Sequence, residues 1–154
     1  MQVLDNAAAA VACNGLAARC AVMPLTWGHW TPQLVALPPQ DVVLGADVLY
    51  DSSLSDALLA TVAFLLRRAN PGATFVTAYQ QRSRHASLEW RLEHWVRRRR
   101  AAAACGDGRS RASRLRRRQG LACVAVTPAE EMLPAGTQLR EVVHVVELRL
   151  TPAG

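Results

Sequence analysis

Asp47, Tyr50 and Asp51 are polar residues whose types and close spacing suit them for chemistry. They follow the apolar run Val42 to Ala46, which comes after two prolines and contains β-branched residues, a pattern that predicts a strand buried on both faces. Ligands of open α/β sheets bind beyond the carboxyl ends of such strands, so the three side chains occupy the expected position of a site. A carboxylate there can orient a nitrogen or accept its proton, and a tyrosine ring can pack against a cation.

Asp47 also has a purely structural interpretation. Asp51, Ser52 and Ser53 stand close by, and a short polar side chain at this point can cap the helix that follows. Ser53 with Asp56 three residues later resembles a capping box for that helix. The pattern alone leaves both roles of Asp47 open.

Predicted helices and strands alternate on either side of the polar segment from Asp47 to Asp51. The last apolar segment, Val142 to Leu150, alternates in a way that suits an antiparallel partner. The order predicts an α/β fold of one domain, residues 1–154, whose sheet is closed by an antiparallel carboxyl-terminal pair. The other predicted elements are a helix from Val3 to Leu16 stopped by Asn14-Gly15, a strand from Arg19 to Trp27, a loop from His29 to Gln40, a helix from Ser52 to Arg68 ended by Asn70-Pro71-Gly72, a strand from Ala73 to Tyr79, a helix from Arg84 to about Arg100, a strand from Leu121 to Thr127 and a loop from Pro128 to Gln138.

The bulk composition indicates a globular, intracellular protein. Hydrophobic residues make up 51% of the 154, which is enough for a core. No stretch reaches the roughly 20 uninterrupted apolar residues of a membrane span, and the amino terminus lacks the basic start of a signal peptide. We therefore expect a cytoplasmic or nuclear location without membrane contact.

The positive charge belongs to one segment. All 18 cations are arginine, and ten of them lie between Arg97 and Arg118 with only Asp107 opposing, while the net charge of the whole chain is +6. Residues 101–118 are interpreted as a disordered, arginine-rich insertion. Ten arginines can neutralise phosphates or act as a nuclear import signal, but Arg97 to Gly120 contains no aromatic residue for base stacking, so compositional drift explains the segment more simply.

Other chemical signatures are missing from the sequence. Four cysteines, Cys13, Cys20, Cys105 and Cys123, have no metal-binding spacing and are interpreted as small buried hydrophobes. His85 and Glu89 stand four residues apart, which is more typical of a solvated helix pair than of a metal site. No nucleophile elbow, phosphate-binding loop or dinucleotide fingerprint is present in these 154 residues.

Four strings, together with the order of elements, resemble the back part of the seven-β-strand, S-adenosylmethionine-dependent methyltransferases of the lysine-methyltransferase-like family 16. The resemblance covers Val3 to about Trp95 and, loosely, the closing hairpin. The strings are Pro24-Leu25-Thr26-Trp27-Gly28, Leu37-Pro38-Pro39-Gln40-Asp41, Gly45-Ala46-Asp47-Val48-Leu49-Tyr50 and Tyr79-Gln80-Gln81-Arg82-Ser83.

The resemblance implies roles only at the positions that match. The family's tryptophan beside the cofactor adenine falls on Trp27, and the alanine lining the cofactor pocket falls on Ala46. The family's acidic-x-x-aromatic motif, where the target side chain meets the methyl donor, falls on Asp47 and Tyr50 as catalytic residues. Tyr79 and Arg82, at the tip of the next strand, are the implied substrate-binding residues.

One departure from the family concerns the cofactor. The glycine-rich turn after the first strand and the acidic residue after the second lie upstream of the matched part, so we expect a partial Rossmann-like sheet without its first two strands. Arg19 to Trp27 is then expected either to pair directly with Asp41 to Asp47 or to be poorly anchored. The chain is accordingly expected to be an amino-terminally truncated methyltransferase, a fragment or a truncated isoform, with impaired cofactor binding.

Two functional hypotheses follow. The first is an S-adenosylmethionine-dependent protein N-methyltransferase that acts on a lysine or arginine side chain, with histone arginine as the nearest family precedent. The second is a non-catalytic basic adaptor or nucleic-acid-binding remnant of such an enzyme, with Arg97 to Arg118 as its weak nucleic-acid contact.

Overall fold

The computed structural model describes residues 2–80, 90, 93–95, 97, 120–135, 137 and 143–151. They fall into two compact units, Met1–Leu37 and Pro38–Gly154. Of the predicted helix from Arg84 to Arg100, the described residues Trp90, 93–95 and Arg97 are helical, and the rest lies outside the described residues. The arginine-rich segment lies outside them too, apart from Arg97.

The amino-terminal unit begins with helix α1, Gln2–Cys13. Gly15, with a φ of 67°, ends the helix. Its N–H donates to Ala12 O at 2.9 Å, and that of Leu16 donates to Val11 O at 3.0 Å, which is the hydrogen-bond pattern of a Schellman motif. The predicted stop at Asn14-Gly15 is thus confirmed. No side chain of α1 is buried.

The predicted strand from Arg19 to Trp27 is wrong. Residues 17–19 form a turn and residues 20–26 have no regular structure. An apolar segment becomes a strand only when a neighbouring strand pairs with it, and none of the described strands pairs with this one. Direct pairing with the strand that begins at Val42 is therefore absent from the described residues.

The segment predicted as a loop from His29 to Gln40 contains a short helix, α2, Pro32–Val35. Proline stands at its first position, and Thr31 Oγ1 accepts a hydrogen bond from the N–H of Leu34 at 3.2 Å, as an N-cap does. The buried side chain of Leu34 anchors this turn.

The carboxyl-terminal unit is built on a four-stranded sheet in the order β1-β2-β4-β3. β1 and β2 are parallel, whereas β4 is antiparallel to both of its neighbours, so the predicted antiparallel closure is confirmed. The strands are β1 Val42–Ala46, β2 Thr74–Gln80, β3 Leu121–Pro128 and β4 Val143–Leu150.

Helix α3, Ser55–Arg68, covers one face of this sheet. Its buried residues Leu58, Thr61, Val62 and Leu66 recur at helical spacing and form one stripe, which Leu59 and Ala63 widen. The sheet side of this core consists of residues that the strand register places on one face. They are Phe75, Thr77, Tyr79, Val146 and Leu148.

The turn between α3 and β2 starts at Asn70. Ala73 N donates to Asn70 O at 3.0 Å around Pro71 and Gly72, and the φ of 86° at Gly72 is typical of a type II turn. Asn70 Nδ2 also donates to Asp41 Oδ1 at 2.6 Å, which ties the turn to the amino end of β1.

β1 differs from its prediction, since it lies at an edge of the described sheet rather than buried on both faces. Val42 and Leu44 are exposed, Leu44 at 76%. A run of apolar residues shows that a strand can be buried on both faces, but it does not specify how many neighbours the strand has.

The cysteines are less buried than the sequence predicts. Cys13 and Cys20 are exposed and Cys123 is half-buried, so the expectation of buried cysteines is wrong for the first two. Cysteine burial is only a tendency of the residue type, and neither side chain lies in a core. Within the described part of the chain, no helix is both long and apolar enough to cross a membrane.

Candidate functional site

The carboxyl end of β1 runs directly into Asp47, whose backbone is unusual. Asp47 has a φ of 49°, a left-handed conformation that is uncommon for residues other than glycine, asparagine and aspartate. Its side chain is exposed. Backbone strain of this kind is often found where a protein presents a functional group, so the geometry is compatible with a site.

The next residues fix the position of Tyr50. Leu49 is buried in the core, whereas the neighbouring Tyr50 is 57% exposed. Anchoring through Leu49 lets a short irregular segment hold the tyrosine in a limited range of positions. Asp47 and Tyr50 are therefore both displayed to solvent from a segment that is fixed at its centre.

Asp51, rather than Asp47, caps the following helical segment. Asp51 Oδ1 accepts hydrogen bonds from the N–H of Ser53 at 2.8 Å and from Ser53 Oγ at 2.7 Å. These bonds stabilise a 3-10 turn, Ser52–Leu54, which leads into α3. The predicted start of the helical segment at Ser52 is thus confirmed, but its cap is Asp51. The N-cap of α3 itself is Leu54, whose side chain makes no capping hydrogen bond.

The two predicted cofactor residues lie in different units. Ala46 is the last residue of β1, exposed, and pairs with Ala78 on the sheet face opposite α3. Trp27 is half-buried in the amino-terminal unit, on a turn closed by the bond from His29 N to Thr26 O at 3.1 Å, with Gly28 at a φ of 80°. Their roles at a cofactor remain predictions.

The predicted substrate residues are described only in part. Tyr79 lies near the end of β2 with 7% of its surface exposed, directly opposite His144 of β4. Arg82 lies outside the described residues. A substrate-binding role for either side chain remains a prediction.

Gly45 was not recognised from the sequence as a residue that shapes the site. A Cβ at this position would lie 2.9 Å from Val48 Cγ2 and 3.0 Å from two ring carbons of Phe75. Glycine therefore allows Val48 and Phe75 to pack against the end of β1. The sequence does contain one indication of this packing, because a glycine inside a strand often marks a place where other groups pack closely against the backbone.

The polar groups of the described residues do not form a metal site. In the parts of the chain that the structure describes, no group of three or more histidine, cysteine, aspartate or glutamate side chains could hold a metal ion. Asp47 and Tyr50 bring a carboxylate and a phenol to the end of β1, and a carboxylate there can accept a proton from a nitrogen nucleophile.

Comparison with known proteins identifies the family of this chain. A family model described as lysine methyltransferase matches residues 1–90. Curated relatives named histone-arginine methyltransferase METTL23 match over 74 residues, or 48% of this chain: 45% identity in Mus musculus, 46% in Xenopus laevis and 43% in Homo sapiens. They confirm the closer resemblance to methyltransferase-like protein 23 within family 16 that the four strings indicate.

The matched segment spans only 29%, 31% and 38% of those three relatives. Among solved structures, the mitomycin 7-O-methyltransferase MmcR matches 97% of this chain and 40% of its own chain, with a TM-score of 0.52 and 19% sequence identity. At that identity the likeness concerns the fold alone, and it confirms the predicted α/β methyltransferase sheet.

Proposed function

The chain belongs to the lysine methyltransferase family, and we propose that the protein transfers a methyl group from S-adenosylmethionine to a side-chain nitrogen of a protein substrate. The observation that carries the proposal is Asp47, exposed in a left-handed conformation at the carboxyl end of a parallel strand, three residues before the exposed Tyr50. Asp51 takes the capping role that competed with a chemical role for Asp47.

The nitrogen must present a lone pair at the moment of transfer. A lysine amine, with an ordinary pKa of about 10.4, must first lose a proton, and an arginine guanidinium must lose one as the new bond forms. Methylation of the nitrogen would require that one proton leave it. In this proposal the Asp47 carboxylate orients the nitrogen and accepts that proton, while the Tyr50 ring packs against the cationic group.

Bound S-adenosylmethionine would supply the methyl group on a positively charged sulfur. The small side chains of Ala46 and Ala78 stand opposite each other beside Asp47, on the sheet face that α3 leaves free. They leave room for a ligand close to the backbone, so the residues present fit such a donor. Ala46 is the residue of the carboxyl-terminal unit that would line its site, and a cofactor role of Trp27 is what the family resemblance implies.

The substrate is proposed to be a histone or another basic protein, methylated on arginine or lysine. The relatives' names specify histone arginine for those proteins, and the family description specifies lysine. Between residues 38 and 66 the chain carries four aspartates and no arginine or lysine, which favours a cationic target.

A histone substrate would place the protein in the nucleus, which fluorescence microscopy of the tagged protein would test.

The proposal is tested by methyl transfer to histone peptides with Asp47→Asn. Asparagine tolerates the left-handed backbone, so the fold should remain. Loss of the carboxylate should lower kcat about 100-fold, while the affinity for S-adenosylmethionine stays within about threefold.

Asp41→Asn is the matched control, because Asp41 lies just before the other end of β1 and bonds to Asn70. It should change kcat by less than about twofold, since no reacting group lies there. Equal losses in the two variants would contradict the role of Asp47. Absence of transfer by the wild-type protein to both arginine and lysine peptides, at a concentration of S-adenosylmethionine that saturates the protein, would contradict the proposed function.

Impaired cofactor binding is a separate part of the proposal. The matched residues include no glycine-rich cofactor turn, so the 154-residue chain by itself should bind S-adenosylmethionine weakly. Calorimetric titration measures this directly. Binding as tight as 1 μM, about −8 kcal/mol, would contradict the expected impairment.

A further inference from the structure

The two edge strands of the described sheet are protected unequally. The register of β3 with β4 shifts between Cys123 and Ala125, as at a β-bulge, and β3 ends at Pro128, which has no N–H group. Bulges and prolines keep an edge strand from pairing with another chain. β1 has neither, since its register with β2 is continuous and its five residues are uncharged and include no proline. β1 is therefore the edge at which a further strand can pair.

The outer side of β1 offers both backbone and apolar groups. Among the described strands only β2 pairs with β1, so roughly half of the backbone N–H and C=O groups of β1 point away from the sheet. Val42 and Leu44 are exposed on the face that α3 leaves free, at 53% and 76% of their surface. An added strand would pair with the backbone groups and cover both side chains, as in recognition by β-strand addition.

The charge around β1 favours a basic partner. Residues 38–66 contain four aspartates and neither arginine nor lysine. Asp47, which is exposed, follows directly after the last residue of β1. A second copy of the chain would bring its own acidic segment against this one, and like charges that face each other across two strands are destabilising. A segment that carries arginine or lysine is instead attracted to this edge.

We propose that the outer edge of β1 binds an extended basic segment of the protein substrate as an additional strand. The inference rests on the proposed function, because a segment paired along β1 leads to Asp47 at the carboxyl end of that strand. Alternate apolar side chains of the segment cover Val42 and Leu44, and an arginine or lysine follows at the end nearest Asp47. The edge thus selects substrates by the residues that surround the methylated side chain.

The binding test uses fluorescence anisotropy with the full 154-residue chain. Its probe is a fluorescein-labelled peptide of nine residues, in which threonine and valine alternate between an arginine at each end. Leu44→Lys should weaken binding of this peptide about tenfold, because the ammonium group repels it and the apolar contact is lost. A peptide with proline at its centre, or with glutamate at both ends, should also bind at least about tenfold more weakly.

Val124→Lys is the matched control. Val124 lies where the register of β3 shifts, on the opposite edge of the described sheet, and is 50% exposed. The same substitution there should leave the affinity within about twofold of the wild type. Melting temperatures of both variants measure folding separately.

Amide hydrogen exchange locates the contact. Peptide binding should slow exchange at least about tenfold at the outward N–H groups of residues 42–46, and it should leave β3 unchanged. Protection of those outward groups before the peptide is added would show that another segment of the chain already pairs there. That result would overturn the inference, as would exchange at β1 that the peptide does not change.

Two further results would assign the edge a different role. Equal losses of affinity in Leu44→Lys and Val124→Lys would mean that the peptide binds by charge alone. A dimer in sedimentation velocity that Leu44→Lys dissociates would make a second copy of the chain the occupant. Either result would contradict the binding of a basic strand at β1.

Failure of the proposed function is distinguishable from failure of this inference. The binding and exchange measurements need no methyl donor, so protection of β1 by the peptide without methyl transfer would contradict only the proposed function. Where transfer occurs, Leu44→Lys should raise the KM for a histone-tail peptide about tenfold, whereas Val124→Lys should not. Transfer with equal KM values in the two variants would overturn the inference alone.

Discussion

Tyr50 follows the buried Leu49 in the chain, yet more than half of its own surface is exposed to solvent. An exposed aromatic ring next to a carboxylate suits a cationic ligand, because the face of the ring attracts positive charge. The ring contributes little to the core, so its removal should separate binding from stability. Tyr50 is therefore the residue at which the proposed contact with the substrate can be measured most directly.

We expect Tyr50→Ala to raise the KM for a histone peptide about tenfold, which corresponds to the loss of a contact of about 1–2 kcal/mol. Tyr50→Phe keeps the ring and should raise the KM less than about threefold. Steady-state kinetics with both variants measures the difference, and thermal unfolding should show melting temperatures close to that of the wild type. If phenylalanine behaves like alanine, the phenol hydroxyl rather than the ring makes the contact.

At the level of elements, Gly45 sets how closely β1, β2 and the site segment approach one another. The space that a Cβ would need is taken by Val48 and by the ring of Phe75. Because Phe75 is buried, it has little freedom to move aside. A methyl group at residue 45 would displace the segment that carries Asp47.

We expect Gly45→Ala to lower the free energy of unfolding by about 1–3 kcal/mol, as overpacking does. Val48→Ala removes the nearest contact, so the double variant should be more stable than the sum of the single effects predicts. Chemical denaturation of the four proteins in this cycle measures the coupling. Additive effects would show that Val48 does not restrict residue 45.

The sequence predicts correctly those elements whose own residues carry a periodic apolar pattern or a turn sequence at the end. α3 has an apolar stripe and the Asn70-Pro71-Gly72 turn, and β4 has alternation over eight residues. The segment from Arg19 to Trp27 is rich in apolar residues but has no partner strand among those described, and it forms no strand. Strand formation depends on pairing with distant residues, which a local pattern does not contain.

The site is predictable to a similar extent. Resemblance indicates Asp47 and Tyr50, and both are displayed at the end of β1. The capping role of Asp51 depends on which of several short polar residues bonds to Ser53, and the pattern leaves that choice open.

At the scale of the whole molecule, the charge is divided unevenly along the chain. Deleting residues 101–118 removes six arginines and one aspartate, so the net charge falls from +6 to +1. If this segment is a solvated insertion, its loss should leave methyl transfer within about twofold of the full-length value, because solvated surface changes away from a site have small effects. The deletion therefore separates the transferase hypothesis from that of a basic adaptor.

Binding to nucleic acid should be weak, independent of sequence and confined to this segment. Neutralising about six phosphates gives a slope of about −5 in log K against log salt concentration, and without aromatic residues in the segment no stacking adds to it. Fluorescence anisotropy with duplex DNA and single-stranded RNA at 50 and 200 mM salt measures the slope, and the deletion should abolish it. Tight binding at 200 mM salt together with loss of methyl transfer in the deletion variant would favour the adaptor, because the arginines would then carry the function.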